Sequence, residues 1–144
     1  MSQKVLVKVK KIHQDAILPR YAHPGDAGMD LFSCVDLTIK AGERALVPTG
    51  ISMEFPQGHV ALIWDKSGLA ANKGIKTMAG VIEYTYRGEY KIVLLNTSND
   101  DFFIKKGDKI AQVLIQPIST AEVVEVSDLS ETSRGAGAFG STGK

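Results

Sequence analysis

The alternation of apolar and polar residues with a period of two is the feature that most restricts the fold of this chain. Six segments have this alternation or a nearly continuous apolar version of it, namely 4–10, 35–40, 51–55, 59–64, 90–95 and 109–116. Successive side chains of a β-strand point to opposite faces, so alternation predicts strands with one buried face. The continuous version predicts strands covered on both faces. The chain is therefore expected to be built from β-strands.

Turn-forming residues separate these segments about every ten residues. Clusters that contain Gly, Pro, Asn or Asp fall at 24–26, 41–43, 48–50, 56–58, 86–88, 97–100 and 105–108. Short strands at this spacing are typical of sandwiches, barrels and jelly rolls. The one predicted helix covers Ser67 to Asn72, with Ser67 placed to cap its start and Gly74 to end it. The predicted class is an all-β fold with one short helix.

Apolar periodicity ends near Val126, and the residues after it are rich in Ser, Thr, Gly and Ala. Four of the fourteen glycines fall among the last eleven residues. A segment of this composition buries too little apolar surface to offset the entropy of ordering it. We therefore expect a single domain over residues 1–126 and a flexible C-terminal arm over residues 127–144.

Charge and cysteine content exclude several functional classes. The 144 residues carry 17 Lys and Arg against 16 Asp and Glu, a formal net charge of +1, so no nucleic-acid partner is expected. The longest apolar run, 60–64, is far shorter than the roughly 20 residues that span a bilayer, so no membrane partner is expected. Cys34 is the only cysteine, which excludes an intramolecular disulfide. These features favour a soluble, cytoplasmic protein.

The glycine-rich tail has the composition of a phosphate-binding segment. Its glycines allow backbone N–H groups to approach an anion, its hydroxyl groups and Arg134 can bind one, and Phe139 can stack on a base. It is not a P-loop, because five residues rather than four separate Gly137 from Gly143. On composition alone, a solvated terminus is the alternative interpretation.

A polar junction, Asp65-Lys66-Ser67-Gly68, follows the most apolar segment. A helix start that carries a hydroxyl and an ammonium group is suited to an anion. A capping role for Ser67 alone is equally compatible with these residues. The junction is thus a second candidate for phosphate binding.

Two further positions offer carboxylates. Glu83 follows two apolar residues in segment 80–88 and can act as a general base, or it can be the solvent-facing member of a strand. Asp26 and Asp30 flank a glycine turn and can hold a divalent cation through its waters, or they can bond their own backbone. The residues alone leave both alternatives open at each position.

Taken in order, these features resemble the trimeric dUTPase family. Five segments match the five motifs of that family, namely 27–31, 66–70, 80–88, 107–112 and 134–143. The resemblance implies a distorted jelly roll and a homotrimer with active sites at the subunit interfaces. It also implies hydrolysis of dUTP to dUMP and pyrophosphate with Mg²⁺, and an arm that closes over the active site.

The resemblance also implies a role for particular residues. Asp30 would engage Mg²⁺ through water, and Glu83 would position and deprotonate the attacking water. Tyr86 would pack on the deoxyribose, and Phe139 would stack on uracil. The implied substrate-binding residues are Lys66, Ser67, Gly68, Thr77, Gly80, Val81, Ile82, Tyr86, Lys91, Gln112, Arg134, Phe139, Gly140, Ser141 and Thr142.

The sequence departs from the family pattern at several motif positions. The family usually has Asp at the position of Glu83 and Arg at the position of Lys66. The extra methylene of Glu83 moves its carboxylate, and Lys66 loses the bidentate geometry of Arg. The alternative function is therefore a nucleotide-binding or regulatory homologue with weakened catalysis. Deamination is disfavoured, because Val93 occupies the position of the catalytic glutamate in related deaminases.

Overall fold

The computed structural model describes residues 4–140. Within this range the chain forms short antiparallel strands and one helix, which confirms the predicted all-β class. The helix α1 (Ser67–Lys73) lies between β6 and β7. The strands are β1 (Lys8–Lys11), β2 (Met29–Phe32), β3 (Leu37–Ile39), β4 (Arg44–Pro48), β5 (Ile51–Glu54), β6 (His59–Trp64), β7 (Ile75–Met78), β8 (Val81–Ile82), β9 (Lys91–Asn96), β10 (Phe102–Ile104) and β11 (Lys109–Pro117).

The strands form four sheets that share one core. One sheet has the order β2-β11-β6-β8 and another the order β4-β9-β7, while β1 pairs with β5 and β3 pairs with β10. A single cluster of buried apolar side chains draws on all four sheets, which makes them layers of one jelly-roll domain. The largest of its fully buried members are Leu31, Ile39, Val47, Ile51, Met53, Tyr90, Ile92, Leu94, Ile110 and Val113.

The four-stranded sheet positions the candidate functional residues. Its central strand β11 pairs with β2 on one side and with β6 on the other, so that Gln112 lies opposite both Asp30 and Trp64. Strand β6 has the bounds that the sequence predicts. Strands β11 and β6 are the two interior strands of this sheet, since each is paired on both sides. The register brings three distant sequence segments to one end of this sheet.

The first strand and the start of the helix differ from the predictions. Strand β1 begins at Lys8 rather than Lys4, because its pairing with β5 starts only there. The N-cap of α1 is Lys66 rather than Ser67, and no side-chain hydrogen bond caps it. The helix ends at Gly74 as predicted, in the left-handed conformation (φ 67°) that glycine adopts without strain.

Residues 118–140, which follow the last strand, contain neither helix nor strand. Several apolar side chains of this segment face solvent, including Val123 at 92% and Leu129 at 86% exposure. No helix within residues 4–140 is long and apolar enough to cross a membrane.

Candidate active site

A polar cavity of about 310 Å³ lies where β2, β11 and the start of α1 meet. We call it the polar corner. It is lined by Asp26, Ala27, Gly28, Asp30, Lys66, Ser67, Gly68 and Gln112. The first N–H groups of a helix have no intrahelical partners, and no side chain caps the start of α1 at this corner. The corner thus combines an ammonium group, a hydroxyl and free N–H groups, which suits a phosphate.

The Asp30 carboxylate is buried at the base of the corner and is held by two lysines. Its Oδ1 accepts a hydrogen bond from Lys66 Nζ at 2.5 Å, and Lys109 Nζ lies 3.2 Å from its Oδ2. Burial by itself raises the pKa of Asp30, but the bonds and charges of Lys66 and then Lys109 outweigh it and hold that pKa below its ordinary value. Asp30 is therefore ionised at neutral pH.

The polar corner fits a cation held through water better than one bound directly. Both Asp30 oxygens already face ammonium groups, so direct ligation would have to displace a lysine. In residues 4–140, no three His, Cys, Asp or Glu side chains are grouped so that they could hold a metal ion. Mg²⁺ characteristically keeps several waters and takes one or two carboxylates together with substrate phosphates. The donors present, Asp30 and Asp26, match that pattern.

Asp65 links the polar corner to strand β7. Its Oδ1 accepts hydrogen bonds from the Thr77 N–H at 2.5 Å and the Thr77 hydroxyl at 2.7 Å, and its Oδ2 pairs with Lys76 Nζ at 2.7 Å. Burial raises the pKa of Asp65, but these contacts outweigh it and lower the pKa. The Asp65 carbonyl accepts a hydrogen bond from Gln112 Nε2 at 2.8 Å. A Cβ at position 28 would collide with Oε1 of the same Gln112 side chain, so a larger residue there would shift the Gln112 amide.

A second, larger cavity of about 490 Å³ lies beside the turn between β7 and β8. We call it the apolar cavity. Its lining is mostly apolar and consists of Leu46, Ile63, Met78, Ala79, Gly80, Val81, Ile82, Glu83, Tyr86, Glu89, Tyr90, Lys91, Ile92 and Val93. Ala79 and Gly80 both have positive φ, 58° and 111°, and the Gly80 carbonyl accepts a hydrogen bond from the Ile63 N–H. A cavity of this size with a mostly apolar lining suits a small organic group.

Tyr86 forms one wall of the apolar cavity and is fixed by its own turn. Its hydroxyl donates to the Glu89 carbonyl at 2.8 Å, and its ring centroid lies 6.1 Å from that of Tyr90. A Cβ at position 88 would collide with the Tyr86 hydroxyl and ring, so only glycine at that position leaves the ring where it is. The wall is therefore positioned by the turn rather than by the sheets.

Two acidic residues, Glu83 and Glu89, line the apolar cavity. Glu83 is exposed and Glu89 is half-buried. Among residues 4–140 no hydrogen bond holds the Glu83 carboxylate. Glu89, by contrast, is engaged, because its Oε2 accepts a hydrogen bond from the Gly50 N–H at 3.0 Å. Glu83 is thus the carboxylate of this cavity that is free to bind a water molecule.

The structure gathers most of the residues implied by sequence into these two cavities. The polar corner includes Asp30, Lys66, Ser67, Gly68 and Gln112, and the apolar cavity includes Gly80, Val81, Ile82, Glu83, Tyr86 and Lys91. Thr77 lines neither, since its hydroxyl is bonded to Asp65. Arg134, Phe139 and Gly140 also line neither, and Ser141 and Thr142 lie outside the described residues.

The contacts of three residues were not predicted from the sequence. Lys109 lies within the motif at 107–112, but its contact with Asp30 depends on strand register. Asp65 and Glu89 act through hydrogen bonds to segments 12 and 39 residues away. No periodicity or motif spacing indicates such contacts.

The fold and its two cavities define a β protein with one site suited to an anionic group and another suited to a small organic group. A dUTPase family model matches residues 14–143. The deoxyuridine 5'-triphosphate nucleotidohydrolase of Nautilia profundicola is 48% identical to the chain, and the match covers 96% of this chain and 99% of that protein. The corresponding enzyme of Clostridium acetobutylicum is 50% identical, and the match covers 96% of this chain and 97% of that protein. A solved Staphylococcus bacteriophage 80alpha dUTPase with dUpNHpp is 27% identical, with a TM-score of 0.91, and the match covers 96% of this chain and 99% of that one. The chain belongs to the dUTPase family.

Proposed function

We propose that this dUTPase family member hydrolyses dUTP to dUMP and pyrophosphate with Mg²⁺, as a homotrimer whose active sites lie between subunits. One observation supports this proposal above the others. The polar corner and the apolar cavity have no lining residue in common, so the phosphate-binding Lys66 and the carboxylate of Glu83 belong to separate cavities of one chain. Subunit interfaces would join the corner of one chain to the cavity of another.

The triphosphate would bind at the polar corner. Lys66, Ser67 and Gly68 would bind its oxygens with an ammonium group, a hydroxyl and N–H groups, and Gln112 would support them. Asp30 would hold Mg²⁺ through water, and the bound ion would neutralise part of the triphosphate charge. A solved dUTPase from phage phi11 is described as coordinating a structural Mg(II) ion. It is similar to this chain in fold, with a TM-score of 0.82 at 24% sequence identity.

The deoxyuridine would occupy the apolar cavity. The segment from Thr77 to Ile82, which includes the turn between β7 and β8, would present its backbone groups to the uracil edge, and Tyr86 would pack on the sugar and exclude a 2'-hydroxyl. Lys91, at the rim, would add a further contact. The solved phage 80alpha dUTPase with dUpNHpp supports a nucleotide ligand for this fold.

Glu83 would carry out the chemical step. Its carboxylate would take a proton from a water molecule, whose oxygen attacks the α-phosphorus in line with the leaving group. The bond from the α-phosphorus to the bridging oxygen breaks, and pyrophosphate leaves. Four negative charges on the substrate oppose this attack, so Lys66 and the other donors at the polar corner lower the barrier by offsetting them.

The C-terminal arm would complete the site. Phe139 is fully exposed, and Arg134 donates to the carbonyl of Gly137 at 2.7 Å, so neither contacts a cavity within the chain. On closure Phe139 would stack on uracil, while Arg134 and Gly140 to Thr142 would bind the γ-phosphate. Closure excludes water from the reacting centre, at an entropic cost that a ligand with both base and triphosphate would offset.

Turnover by the purified protein tests this proposal. With Mg²⁺ we expect pyrophosphate release from dUTP at least a hundredfold faster than from dTTP, dCTP or UTP, together with a trimer in sedimentation analysis. Trimers that bind dUTP without hydrolysing it would instead select the weakened homologue suggested by Glu83 and Lys66. The names of the relatives favour the active enzyme.

A further inference from the structure

We propose that Lys109 is a positioning residue for the polar corner, which keeps the buried Asp30 charge-compensated when Lys66 turns from Asp30 to a phosphate. This inference rests on the proposed assignment of that corner to the triphosphate. Asp30 has a side chain only 4% exposed, and its two oxygens face two different ammonium groups. Lys66 lines the corner and Lys109 does not, so the two lysines differ in their access to a ligand.

A break in strand register brings Lys109 to Asp30. Ala111 lies opposite Leu31, so a regular ladder would place Lys109 opposite Ser33 and on the other face of the sheet from Asp30. Instead the register shifts between Lys109 and Ala111, and Lys109 lies opposite Phe32. Residues 30 and 32 share one face of β2, so the shift moves the lysine to the face of Asp30. Re-aiming a side chain in this way is a common use of a β-bulge.

The charges at the corner explain why a second lysine is needed. A phosphate that binds Lys66 competes with Asp30 for the same ammonium group. Without another partner, Asp30 would be left as a buried and uncompensated carboxylate, which is strongly unfavourable. Lys109, with a side chain 48% exposed, stays on the second oxygen and removes that penalty. Lys66 is then free to bind the anion at little cost.

Binding of inorganic pyrophosphate, measured by calorimetry at constant ionic strength without Mg²⁺, tests this role. We expect Lys109→Met to weaken binding about tenfold and Lys109→Arg to remain within about threefold of the wild type. Lys105→Met is the matched control, because it removes the same charge from the turn that precedes β11, at an exposed residue that makes no salt bridge with Asp30. We expect it to change binding less than twofold, since interactions between exposed charges are weakened by solvent and salt.

A kinetic measurement separates positioning from simple stabilisation. With Mg²⁺, Lys109→Met is expected to raise KM for dUTP about tenfold and to change kcat less than threefold, because Glu83 and the apolar cavity are untouched. Lys109→Gln, which keeps a hydrogen-bond donor for Asp30, serves if the Met variant does not fold, and an intermediate loss is expected. The proposal would be overturned if Lys109→Met or Lys109→Gln lowered only the melting temperature and left both the pyrophosphate affinity and the KM for dUTP unchanged.

The wild-type protein and Lys66→Met distinguish this proposal from the assignment on which it rests. If the wild type binds pyrophosphate and Lys66→Met weakens that binding while Lys109→Met does not, the corner is a phosphate site and the role of Lys109 is wrong. If Lys66→Met binds as well as the wild type, the phosphate assignment itself is wrong.

Discussion

The Asp65 carboxylate holds Thr77 by two hydrogen bonds to one oxygen, from the backbone N–H at 2.5 Å and from the hydroxyl at 2.7 Å. Thr77 is 6% exposed and lies in β7, just before the turn that lines the apolar cavity. Residues 65 and 77 lie on either side of α1, so this contact fixes strand β7 relative to the polar corner. The Thr77 hydroxyl thus has a structural partner within the chain.

Replacing Thr77 by Val tests how that hydroxyl is used. The change keeps the shape of the side chain and removes one hydrogen bond to a charged group, so we expect the free energy of unfolding to fall by about 1.5 kcal/mol. The kcat/KM for dUTP should stay within threefold. Thr77→Ser, which keeps the hydroxyl, is the control in urea unfolding. A tenfold loss of kcat/KM at unchanged stability would instead assign the hydroxyl to the nucleotide.

Asp65 should also make stability depend on pH. Its pKa in the folded protein lies below the ordinary value of 3.8, so its contacts stabilise the fold above about pH 4 and are lost as pH falls through the folded-state pKa. The difference in unfolding free energy between wild type and Asp65→Asn should therefore be largest near neutral pH and shrink in acid. Lys76→Met removes only the ion pair on Oδ2 and should give a smaller difference. A difference independent of pH would contradict this account.

Glu83 offers a direct test of the chemical step. Glu83→Gln keeps the size of the side chain but cannot accept the proton of water, so kcat for dUTP should fall by about 10³. The affinity for a non-hydrolysable dUTP analogue, measured by calorimetry, should change less than threefold. Glu83→Asp shortens the side chain by one methylene. If the site requires the length of glutamate, kcat falls in this variant. Normal turnover by Glu83→Gln would show that another group is the base.

Gly88 should govern discrimination between deoxyribose and ribose through Tyr86. A Cβ at position 88 would displace the Tyr86 ring, and with it the wall proposed to exclude a 2'-hydroxyl. We expect Gly88→Ala to lower the preference for dUTP over UTP, as a ratio of kcat/KM values, about tenfold. Tyr86→Phe keeps the ring and removes only the bond to the Glu89 carbonyl, so its preference should change less than threefold. Equal selectivity in Gly88→Ala and wild type would contradict this role.

Much of the fold could be predicted because it depends on local pattern. Strand β6 matches its predicted segment, since apolar residues between turn clusters leave little choice of structure. The helix was predicted to within one residue at its C-terminal end, because Gly74 is the residue type that ends helices. The residues of the polar corner were found because they lie in contiguous motifs.

The contacts that the sequence could not predict depend on register and on distant segments. Periodicity alone would place Lys109 and Asp30 on opposite faces of their sheet, and only the shift before Ala111 brings them together. The cap of α1 was assigned to Ser67, but the helix begins there and Lys66 is the N-cap. The capping preference of serine does not determine where the helix begins. Strand β6 ends at Trp64, and the helix starts three residues later.

Tyr90 presents an unpartnered hydroxyl in the core. Its side chain is fully buried, and no atom within residues 4–140 forms a hydrogen bond with this hydroxyl. Burial raises the pKa of Tyr90 to about 12, with a smaller contribution from Tyr86, while the charge of Arg87 partly offsets this rise. The phenol is therefore neutral at physiological pH. A buried polar group without a partner costs about 1–3 kcal/mol. Removing it should therefore stabilise the protein.

We expect Tyr90→Phe to raise the free energy of unfolding by about 1 kcal/mol, because the ring still fills the same space while the unpaired hydroxyl is gone. Urea unfolding monitored by circular dichroism measures this change. Tyr84→Phe, at a partly buried tyrosine packed against the same core, is the control and should change stability by less than about 0.5 kcal/mol. A loss of stability in Tyr90→Phe would instead show that this hydroxyl gains a hydrogen-bond partner in the assembled protein, from water or from a neighbouring subunit.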